Sequence, residues 1–474
     1  VYEGIWVGED SKIPNIRGIR KDVVEALRRI HVPVVRWPGG CYAEIYDWRD
    51  AVGPQADRPV GINTAWGDEP ESNAFGSHEF FDFLGLIGAK AFISVNVASG
   101  SPQLAKEWLD YLTAPQGSGP GRERAKNGHP EPFDVAFIGI GNETWGCGGN
   151  MRAEYYADLY RQYYAVLHRY GTLVASDANS DQYGWTRKLL ERAMYRDDTS
   201  SPLAWINKDS LIRMMGLHFY TFSGNDWADK SPAVGFSEKD WARSMQRTYQ
   251  METLLSRHIS IMDEYDPDRT IGLSVNEWGA WWARDENQPS NLYQENTLRD
   301  AVIAALTLNI FQQHADRVQM ANIAQMVNVL QSMILTHGDE MLLTPTYHVF
   351  DLYQVHRGAR HLPAEVTAPH YVEADADLPA LSASASRNAD GVVHLSLVNL
   401  DPRQSAKLVI AGLAGRKTAS GKIITADEMD AHPTFGQADP LVPRDLAVHA
   451  AGEGRFAVAL PPKSVSVIAF AARR

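Results

Sequence analysis

The protein has 474 residues, enough for two or three domains with a substantial core. Hydrophobic residues make up 44% and charged residues 22% of the chain, a profile that excludes a disordered protein. The net charge of −13 repels phosphate backbones and anionic lipids, and no apolar run reaches the ~20 residues of a membrane span. The composition therefore predicts neither a nucleic-acid partner nor a membrane partner.

From about residue 17 to residue 358, short β-branched runs alternate with stretches whose apolar residues recur at the helical spacing. Ser101 and Pro102, for example, are suited to begin a helix as a capping residue and a proline at the first helical position. Strands are predicted at 32–36, 91–97, 135–139, 172–176, 214–218, 270–275 and 317–322. Helices are predicted around 18–30, 77–88, 102–112, 152–170, 186–195, 240–264, 296–314 and 346–357.

Strands that alternate with helices form parallel sheets, because parallel neighbours need a crossover connection. Seven strands are predicted, whereas a closed (β/α)8 TIM barrel needs eight. The eighth would come from residues 1–6 or from upstream of Val1, so we expect the first barrel strand to be truncated. A doubly wound open sheet is the alternative. The barrel is favoured because polar and aromatic residues follow nearly every strand instead of gathering at one switch point.

After about residue 360 the apolar period changes to 2, and the runs are separated by Gly, Pro, Asp and Asn. This pattern predicts an antiparallel β-sandwich with strands at 381–386, 391–399, 406–410, 422–425, 455–460 and 464–470. We therefore predict two domains, a (β/α)8 barrel over 1–358 and a jelly-roll-like β-sandwich over 359–474. The stretch 115–132, rich in Gly, Pro and Arg, is predicted to be a long surface loop.

Two glutamates, Glu143 and Glu277, follow predicted barrel strands in matching Asn-Glu contexts. Side chains just past the C-terminal ends of barrel strands converge on one face, so these distant residues can be neighbours in space. Glycoside cleavage needs such a pair: one carboxylic acid protonates the departing oxygen, and the other carboxylate stabilises or attacks the oxocarbenium-like carbon. Two carboxylates about 5 Å apart cannot both ionise cheaply, so the pair itself helps one of them to keep a proton.

Neighbouring strand ends supply further candidates for this site. Arg36 is expected to keep one carboxylate ionised, and His218 to orient a carboxylate rather than bind metal, because no second His lies at metal-binding spacing. Cys41 and Cys147 are too few for a disulfide framework or a four-cysteine zinc site. We expect them to be packed thiols, with a close pair as the alternative.

Tryptophans near the strand ends favour a sugar ligand, because their flat apolar faces and polar edges suit sugar C–H surfaces and hydroxyls. For Trp281 and Trp282 a role in the core is equally open. The full set consists of Trp37, Trp66, Trp145, Trp278, Trp281 and Trp282.

Four motifs closely resemble those of glycoside hydrolase family 51, most of whose members are α-L-arabinofuranosidases. They are WPGGC at 37–41, GNETWGCGGNM at 141–151, NEWG at 276–279 and ANIAQ at 321–325. The resemblance covers essentially the whole chain. It implies a (β/α)8 barrel with a β-sandwich, hydrolysis with retention of configuration, and no metal or organic cofactor.

By position, the resemblance implies that Glu143 is the general acid/base and Glu277 the nucleophile. Asn142 would bond the sugar 2-hydroxyl. Two departures stand out: Asn276 stands where many relatives have Asp, and the relatives' N-terminal strand, with its sugar-gripping Glu, is expected upstream of Val1. The resemblance further implies that Arg36, His218 and Tyr220 position the carboxylates, and that Cys41, Gln325, Asn73, Trp66 and Trp145 line or approach the substrate pocket.

The implied function is that of a retaining, exo-acting α-L-arabinofuranosidase, which releases terminal arabinofuranosyl groups from arabinan, arabinoxylan or their oligosaccharides. The resemblance also implies a cytoplasmic homo-oligomer, a hexamer, with secretion open because the N-terminus looks incomplete. Three alternatives stay open. They are a β-xylosidase or endoglucanase of the same fold, a truncated sugar-binding form without turnover, and a metal-dependent barrel lyase that uses the carboxylates as ligands.

Overall fold

The computed structural model describes residues 4–194, 211–224, 226–290 and 292–472. Seven parallel strands form one sheet whose spatial order follows the chain order without a reversal. A doubly wound sheet reverses its strand order, so that alternative is wrong and the predicted barrel is confirmed. The strands are β1 (Val34–Trp37), β2 (Lys90–Val95), β3 (Val135–Ile140), β4 (Thr172–Asn179), β5 (Met214–Thr221), β6 (Gly272–Ala280) and β7 (Val318–Ile323).

The barrel is nearly closed between β1 and β7. These two end strands come into contact, but no hydrogen-bonded ladder among the described residues joins them. The described part of the predicted eighth strand, residues 4–6, lies outside the barrel sheet, where Trp6 forms an antiparallel bridge with Ile19. Residues 1–3 lie outside the described residues.

Helices connect the barrel strands and cover the sheet. The predicted start at Ser101 is confirmed, since its hydroxyl accepts the backbone N–H of Leu104 at 3.1 Å. The helices are α1 (Lys21–Arg29), α2 (Ser77–Ile87), α3 (Pro102–Thr113), α4 (Gly119–Lys126), α5 (Ala153–Leu167), α6 (Tyr183–Ala193), α7 (Glu238–Tyr265), α8 (Leu298–Gln313) and α9 (Pro345–Tyr353). Single 3-10 turns lie at Cys41–Glu44, Trp48–Ala51, Gln55–Asp57 and Gln354–His356.

The predicted surface loop over 115–132 is wrong, because α4 lies within it. Ser118 begins this helix by accepting the backbone N–H of Gly121 at 3.0 Å, and Pro120 occupies its first turn. Proline is well tolerated there, since the first N–H groups of a helix have no partner within it. The Gly- and Pro-rich composition thus conceals a helix start.

The C-terminal part of the chain forms antiparallel sheets, as predicted. Its strands are β8 (Arg360–Leu362), β9 (His370–Glu373), β10 (Ala376–Pro379), β11 (Leu381–Arg387), β12 (Val393–Asn399), β13 (Ala406–Ile410), β14 (Thr418–Ile424), β15 (Arg444–Leu446), β16 (Val448–Ala450), β17 (Phe456–Leu460) and β18 (Ser464–Ala471). One sheet has the order β8-β11-β12-β18-β14-β15, a second β13-β17-β16, and β9 pairs with β10. An apolar core that includes Leu395, Phe456 and Phe470 lies between the two larger sheets. The domain boundary at 358/359 stays a prediction.

The six-stranded sheet packs against the barrel through α8. This helix is buried on nearly all sides because it contacts β6 and β7 on one face and β11 and β12 on the other. The Nδ2 atom of Asn309 on α8 donates to the hydroxyl of Ser382 at 3.1 Å. Three short hairpins complete the fold: Asn15–Ile16 with Ile19–Arg20, Gly61–Asn63 with Glu69–Glu71, and Ile334–His337 with Glu340–Leu343.

The barrel interior is divided into an apolar layer and a polar layer. A cluster of buried side chains, including Phe92, Val174, Met214 and Met320, fills the lumen near the N-terminal ends of the strands. Polar side chains gather at the opposite, C-terminal ends, where barrel enzymes carry their active sites. Among the described residues, no helix combines the length and apolar character needed to cross a membrane.

Candidate active site

Glu143 and Glu277 face each other at the C-terminal end of the barrel. Glu143 follows β3, and Glu277 lies in the second half of β6. One carboxylate oxygen from each glutamate and one ring nitrogen of His218 all lie within 4.8 Å of one another. Both glutamate side chains are mostly buried, with 18% and 12% of their surface exposed. Two carboxyl groups that the chain separates widely are thus brought into one small space.

Glu277 receives a hydrogen bond on each oxygen. Nη1 of Arg36 lies 2.8 Å from Oε1, and the hydroxyl of Tyr220 donates to Oε2 at 2.8 Å. Burial by itself would raise the pKa of the Glu277 carboxyl, but the charges of His218 and Arg36 and the bonds from Arg36 and Tyr220 lower it below its usual range. Glu277 is therefore held ionised.

Tyr220 is placed on β5, beside β6, by the same register that aligns the two strands. Burial, followed by the charges of Glu277 and Glu143, raises the pKa of Tyr220 well above its ordinary value. Its hydroxyl therefore keeps its proton and acts as a donor to the carboxylate.

His218 connects the two glutamates. Its Nδ1 atom lies 2.9 Å from Oε1 of Glu143 and 3.5 Å from Oε2 of Glu277, and its side chain is buried. The predicted role of orienting a carboxylate fits this geometry. Glu143, His218 and Glu277 also offer the ligand atoms of a metal site. The positively charged guanidinium of Arg36, 2.8 Å from Glu277, would repel a metal ion bound there.

Glu143 lies in a tight turn with a left-handed backbone. Its φ is 44°, a conformation that is rare for residues other than glycine and clusters at functional sites. Gly141, two residues earlier, has a φ of 86°, and a Cβ there would lie 2.6 Å from the Val97 side chain. After the turn, the N–H groups of Gly146 and Gly148 donate to the carbonyl of Glu143 at 2.7 and 3.0 Å. The loop is therefore fixed on both sides of the carboxylate.

Cys41 and Cys147 form a disulfide, so the prediction of two packed thiols is wrong. The bond joins the segment after β1 to the segment after β3 and closes 106 residues of chain. The Sγ atoms of Cys41 and Cys147 lie 4.0 and 3.7 Å from Oε2 of Glu143. Cys41 thus lies in the site as half of a disulfide that packs against this carboxylate.

Asn142, which directly precedes Glu143, is fully buried. Its Oδ1 accepts a short hydrogen bond from Nη2 of Arg36, so one guanidinium links Asn142 to Glu277. Its Nδ2 lies 3.9 Å from Sγ of Cys147. The amide oxygen is therefore engaged by Arg36, and the Nδ2 group faces the disulfide.

Three of the predicted substrate residues, Trp66, Asn73 and Gln325, line the cavity of about 1420 Å³ that Glu277 also lines. Asn73 is 5% exposed, has a φ of 55°, and uses its Nδ2 atom to hold a carbonyl of its own loop at 2.8 Å. The ring of Trp66 lies 5.8 Å from the ring of Trp281.

Several of the tryptophans considered for sugar contact pack against other side chains of the protein. Trp37 stacks on Phe80 at 4.9 Å, and Trp278 is 1% exposed. Trp282 is buried beneath the cationic group of a neighbouring arginine and donates to Asp300. Trp145 is partly buried and packs against the main apolar core.

An aromatic wall near the site is formed by Trp66, Trp281 and Trp227, of which only Trp227 was not predicted. The ring of Trp227, in the loop after β5, lies 4.7 Å from Trp281, whose ring lies 5.1 Å from Tyr220. The ammonium group of Lys230 lies over Trp227 at 3.6 Å, and burial lowers the pKa of Lys230 to about 8. The position of Trp227 in a loop that follows a barrel strand was the available signal.

Comparison with known proteins identifies one family. Residues 26–202 match the family model described as the α-L-arabinofuranosidase 1 domain, and residues 276–464 match the α-L-arabinofuranosidase C-terminal domain. An intracellular exo-α-L-arabinofuranosidase of Bacteroides ovatus is 41% identical over 98% of this chain and 89% of its own length.

Solved structures agree. The family 51 arabinofuranosidase from Xanthomonas axonopodis pv. citri is 41% identical, with a TM-score of 0.94 over 99% of this chain and 94% of that one. The arabinose complex of the α-L-arabinofuranosidase from Thermotoga maritima is 29% identical, with a TM-score of 0.83 over 99% of this chain and 93% of that one. The present chain belongs to glycoside hydrolase family 51, the α-L-arabinofuranosidase family.

Proposed function

We propose that this glycoside hydrolase is a retaining, exo-acting α-L-arabinofuranosidase that releases terminal, non-reducing arabinofuranosyl groups from arabinan, arabinoxylan or their oligosaccharides. The observation that carries the proposal is that one carboxylate oxygen of Glu143 lies within 4.8 Å of one carboxylate oxygen of Glu277. Retaining glycosidases place these groups about 5–5.5 Å apart, whereas inverting ones leave ~6.5–9.5 Å for a water molecule.

In the first step Glu277 attacks the anomeric carbon while Glu143 protonates the departing oxygen. Arg36 and Tyr220 support the ionised state that a nucleophile needs, because each donates to one Glu277 oxygen. In the second step the ionised Glu143 takes a proton from water, which attacks the glycosyl-enzyme and releases arabinose with retained configuration.

The neighbouring residues fit supporting roles. His218 orients Glu143 through the 2.9 Å contact of its Nδ1 atom. Asn142 offers its Nδ2 group to the sugar 2-hydroxyl. The substrate pocket is completed by Asn73, Gln325 and Trp66, which line the cavity, and by Cys41, which lies against Glu143.

The relative from Bacteroides ovatus is named as an intracellular enzyme, which supports a cytoplasmic location for this one. A homohexamer is proposed on the family resemblance alone. Sedimentation would test it, since a hexamer has six times the 52.7 kDa mass of the chain.

The test of the activity is hydrolysis of an aryl α-L-arabinofuranoside by wild type, Glu143→Ala and Glu277→Ala. We expect both variants to keep less than about one part in a hundred of the wild-type rate, because each loses several kcal/mol of transition-state stabilisation. Glu25→Ala, which removes an exposed carboxylate on α1, is the control and should keep full activity. Turnover above about one part in a hundred of the wild-type rate in either active-site variant would reject the assignment.

Three further measurements distinguish the alternatives. Faster turnover of aryl β-xylosides or β-glucans than of the arabinofuranoside would favour a different substrate class. Arabinose binding by calorimetry without hydrolysis would favour a binding protein. Loss of activity with chelator would favour a metal-dependent reaction.

A further inference from the structure

Glu44 is a buried carboxylate that the proposed catalytic steps do not use. It ends the 3-10 turn Cys41–Glu44 after β1, and its side chain is 1% exposed. Oε2 accepts the backbone N–H groups of Val97 and Ala98 at 2.8 and 2.9 Å, and Oε1 accepts the N–H of Asn142 through a short bond. One side chain thus joins the C-terminal ends of three neighbouring barrel strands.

Backbone N–H groups at these strand ends have left the sheet ladder and need other acceptors. A carboxylate suits this place because charge-assisted bonds to several N–H groups offset the cost of burying it. The three N–H donors come from two different chain segments, so the contacts of Glu44 set the relative position of the loops after β2 and β3.

The bond to Asn142 acts next to the proposed acid/base. Asn142 directly precedes Glu143, whose left-handed φ of 44° must be maintained by its surroundings. A Cβ on Gly141 would lie 3.1 Å from Oε1 of Glu44, which shows how closely the carboxylate packs against this turn. Glu44 holds the N-terminal side of the turn.

We propose that Glu44 is a positioning residue, which aims the Glu143 carboxyl at the glycosidic oxygen by anchoring Asn142. The proposal rests on the proposed function, since it assumes that Glu143 is the acid/base. A role confined to fold stability is the competing explanation. The two explanations predict different effects of the leaving group on the rate. A sugar leaving group must be protonated as it departs, whereas 2,4-dinitrophenolate is a weak base and hardly needs a proton.

Glu44→Gln is the sharpest variant. The amide oxygen can still accept from Val97 and Ala98, but the new NH2 group then faces the N–H of Asn142, and two donors cannot bond. We expect kcat/KM for an arabinofuranosyl xylo-oligosaccharide to fall about a hundredfold, the scale of a 1 Å misplacement, with at most a few-fold loss on 2,4-dinitrophenyl α-L-arabinofuranoside.

Asp266→Asn is the matched control. Asp266 is also buried and accepts a backbone N–H, that of Ile271 at 2.8 Å, but it lies just before β6, at the opposite end of the barrel. It should lose stability and keep the wild-type ratio between the two substrates.

An equal fractional loss on both substrates in Glu44→Gln, or no loss, would overturn the proposal. If that variant does not fold, Glu44→Asp decides by the same ratio, because it keeps the charge but shortens the reach to Asn142. Failure of both to fold would also overturn it, since Glu44 would then be a requirement of the fold. An inactive wild type would instead refute the proposed function.

Discussion

Nη1 of Arg36 lies 2.8 Å from Oε1 of Glu277, and both side chains are nearly buried. Arg36 therefore acts in a place where water screens its charge poorly, and a charged hydrogen bond there contributes about 1.5–3 kcal/mol. The same guanidinium also donates to Asn142. One residue of β1 thus contacts both the proposed nucleophile and the residue before the proposed acid/base.

We expect Arg36→Met to lower kcat/KM by about tenfold or more. The pKa of Glu277 should rise, because burial then acts with less compensation. Since the nucleophile must be ionised, the acidic limb of kcat/KM against pH should move to higher pH. Arg124→Met is the control, because Arg124 is buried and, within the described part of the chain, donates its hydrogen bonds to backbone carbonyls such as that of Tyr111. An unmoved acidic limb in Arg36→Met would contradict the assigned role.

Removing the disulfide should lower stability and activity together. For a sequence separation of 106 residues, loss of the bond is expected to reduce the free energy of unfolding by about 2–5 kcal/mol. Urea unfolding of the double variant Cys41→Ala with Cys147→Ala measures this, and its kcat/KM should fall because Sγ of Cys147 packs 3.7 Å from Glu143. Dithiothreitol should lower the urea midpoint of unfolding of the wild type and leave that of the double variant unchanged. An equal effect of dithiothreitol on both proteins would contradict the prediction.

Arg317 is expected to dominate the acid stability of the barrel. It is fully buried, and its Nη1 and Nη2 atoms lie 2.6 Å from Asp266 and 2.7 Å from Asp263. Burial would raise the pKa of Asp266, but the bond from Arg317 and nearby backbone N–H groups lower it. The ionised Asp266 carboxylate therefore stabilises the fold fully above the pKa of an unfolded aspartate, about 3.9. This stabilisation is lost as the pH falls through the lower pKa that Asp266 has in the folded protein.

Arg317→Met should cost about 3–5 kcal/mol at pH 7, because it leaves Asp266 charged and buried without its partner. The difference from wild type should narrow below about pH 4, where the carboxylates take up protons. Denaturant unfolding at pH 7 and pH 3 measures both effects. Asp445→Asn, which breaks an exposed pair with Lys422, should change little at either pH. A penalty for Arg317→Met that does not depend on pH would refute the charge argument.

The periodicity and the motifs were enough to predict the barrel, the antiparallel C-terminal sheets and the positions of Glu143 and Glu277. The role of Trp278 was within reach but missed. Successive residues of a strand point to opposite faces, so Glu277 facing the barrel interior places Trp278 among the helices. Its ring accordingly packs against Phe311 and Phe350 at 5.4 and 6.2 Å.

Other features depend on distances that the sequence does not contain. The disulfide forms because the loops after β1 and β3 approach each other, with 5.6 Å between the Cα atoms of Cys41 and Cys147. Glu44 follows Cys41 by three residues and carries no motif that marks it as buried. Its importance emerges only when the ends of β2 and β3 supply the N–H groups that it accepts.

Substitution of Trp66 tests whether the aromatic wall contacts the part of the substrate beyond the arabinosyl group. Its ring lies 5.8 Å from Trp281, which in turn packs 5.1 Å from Tyr220. Trp66→Ala should raise KM for arabinofuranosyl oligosaccharides about two- to tenfold, since a lost aromatic contact costs ~0.5–1.5 kcal/mol beyond area burial. An aryl arabinofuranoside, which lacks the extended leaving group, should be affected much less.

Unfolding measurements distinguish a substrate contact of Trp66 from a role in packing the fold. Trp66 is partly buried in the hairpin loop between Gly61–Asn63 and Glu69–Glu71, so Trp66→Ala should leave the unfolding midpoint nearly unchanged. Trp278→Ala is the matched comparison: it should cost about 3–5 kcal/mol, because the side chain is buried in the core. If Trp66→Ala raised KM equally for the oligosaccharide and the aryl substrate, Trp66 would belong to the arabinose pocket and not to the wall beyond it.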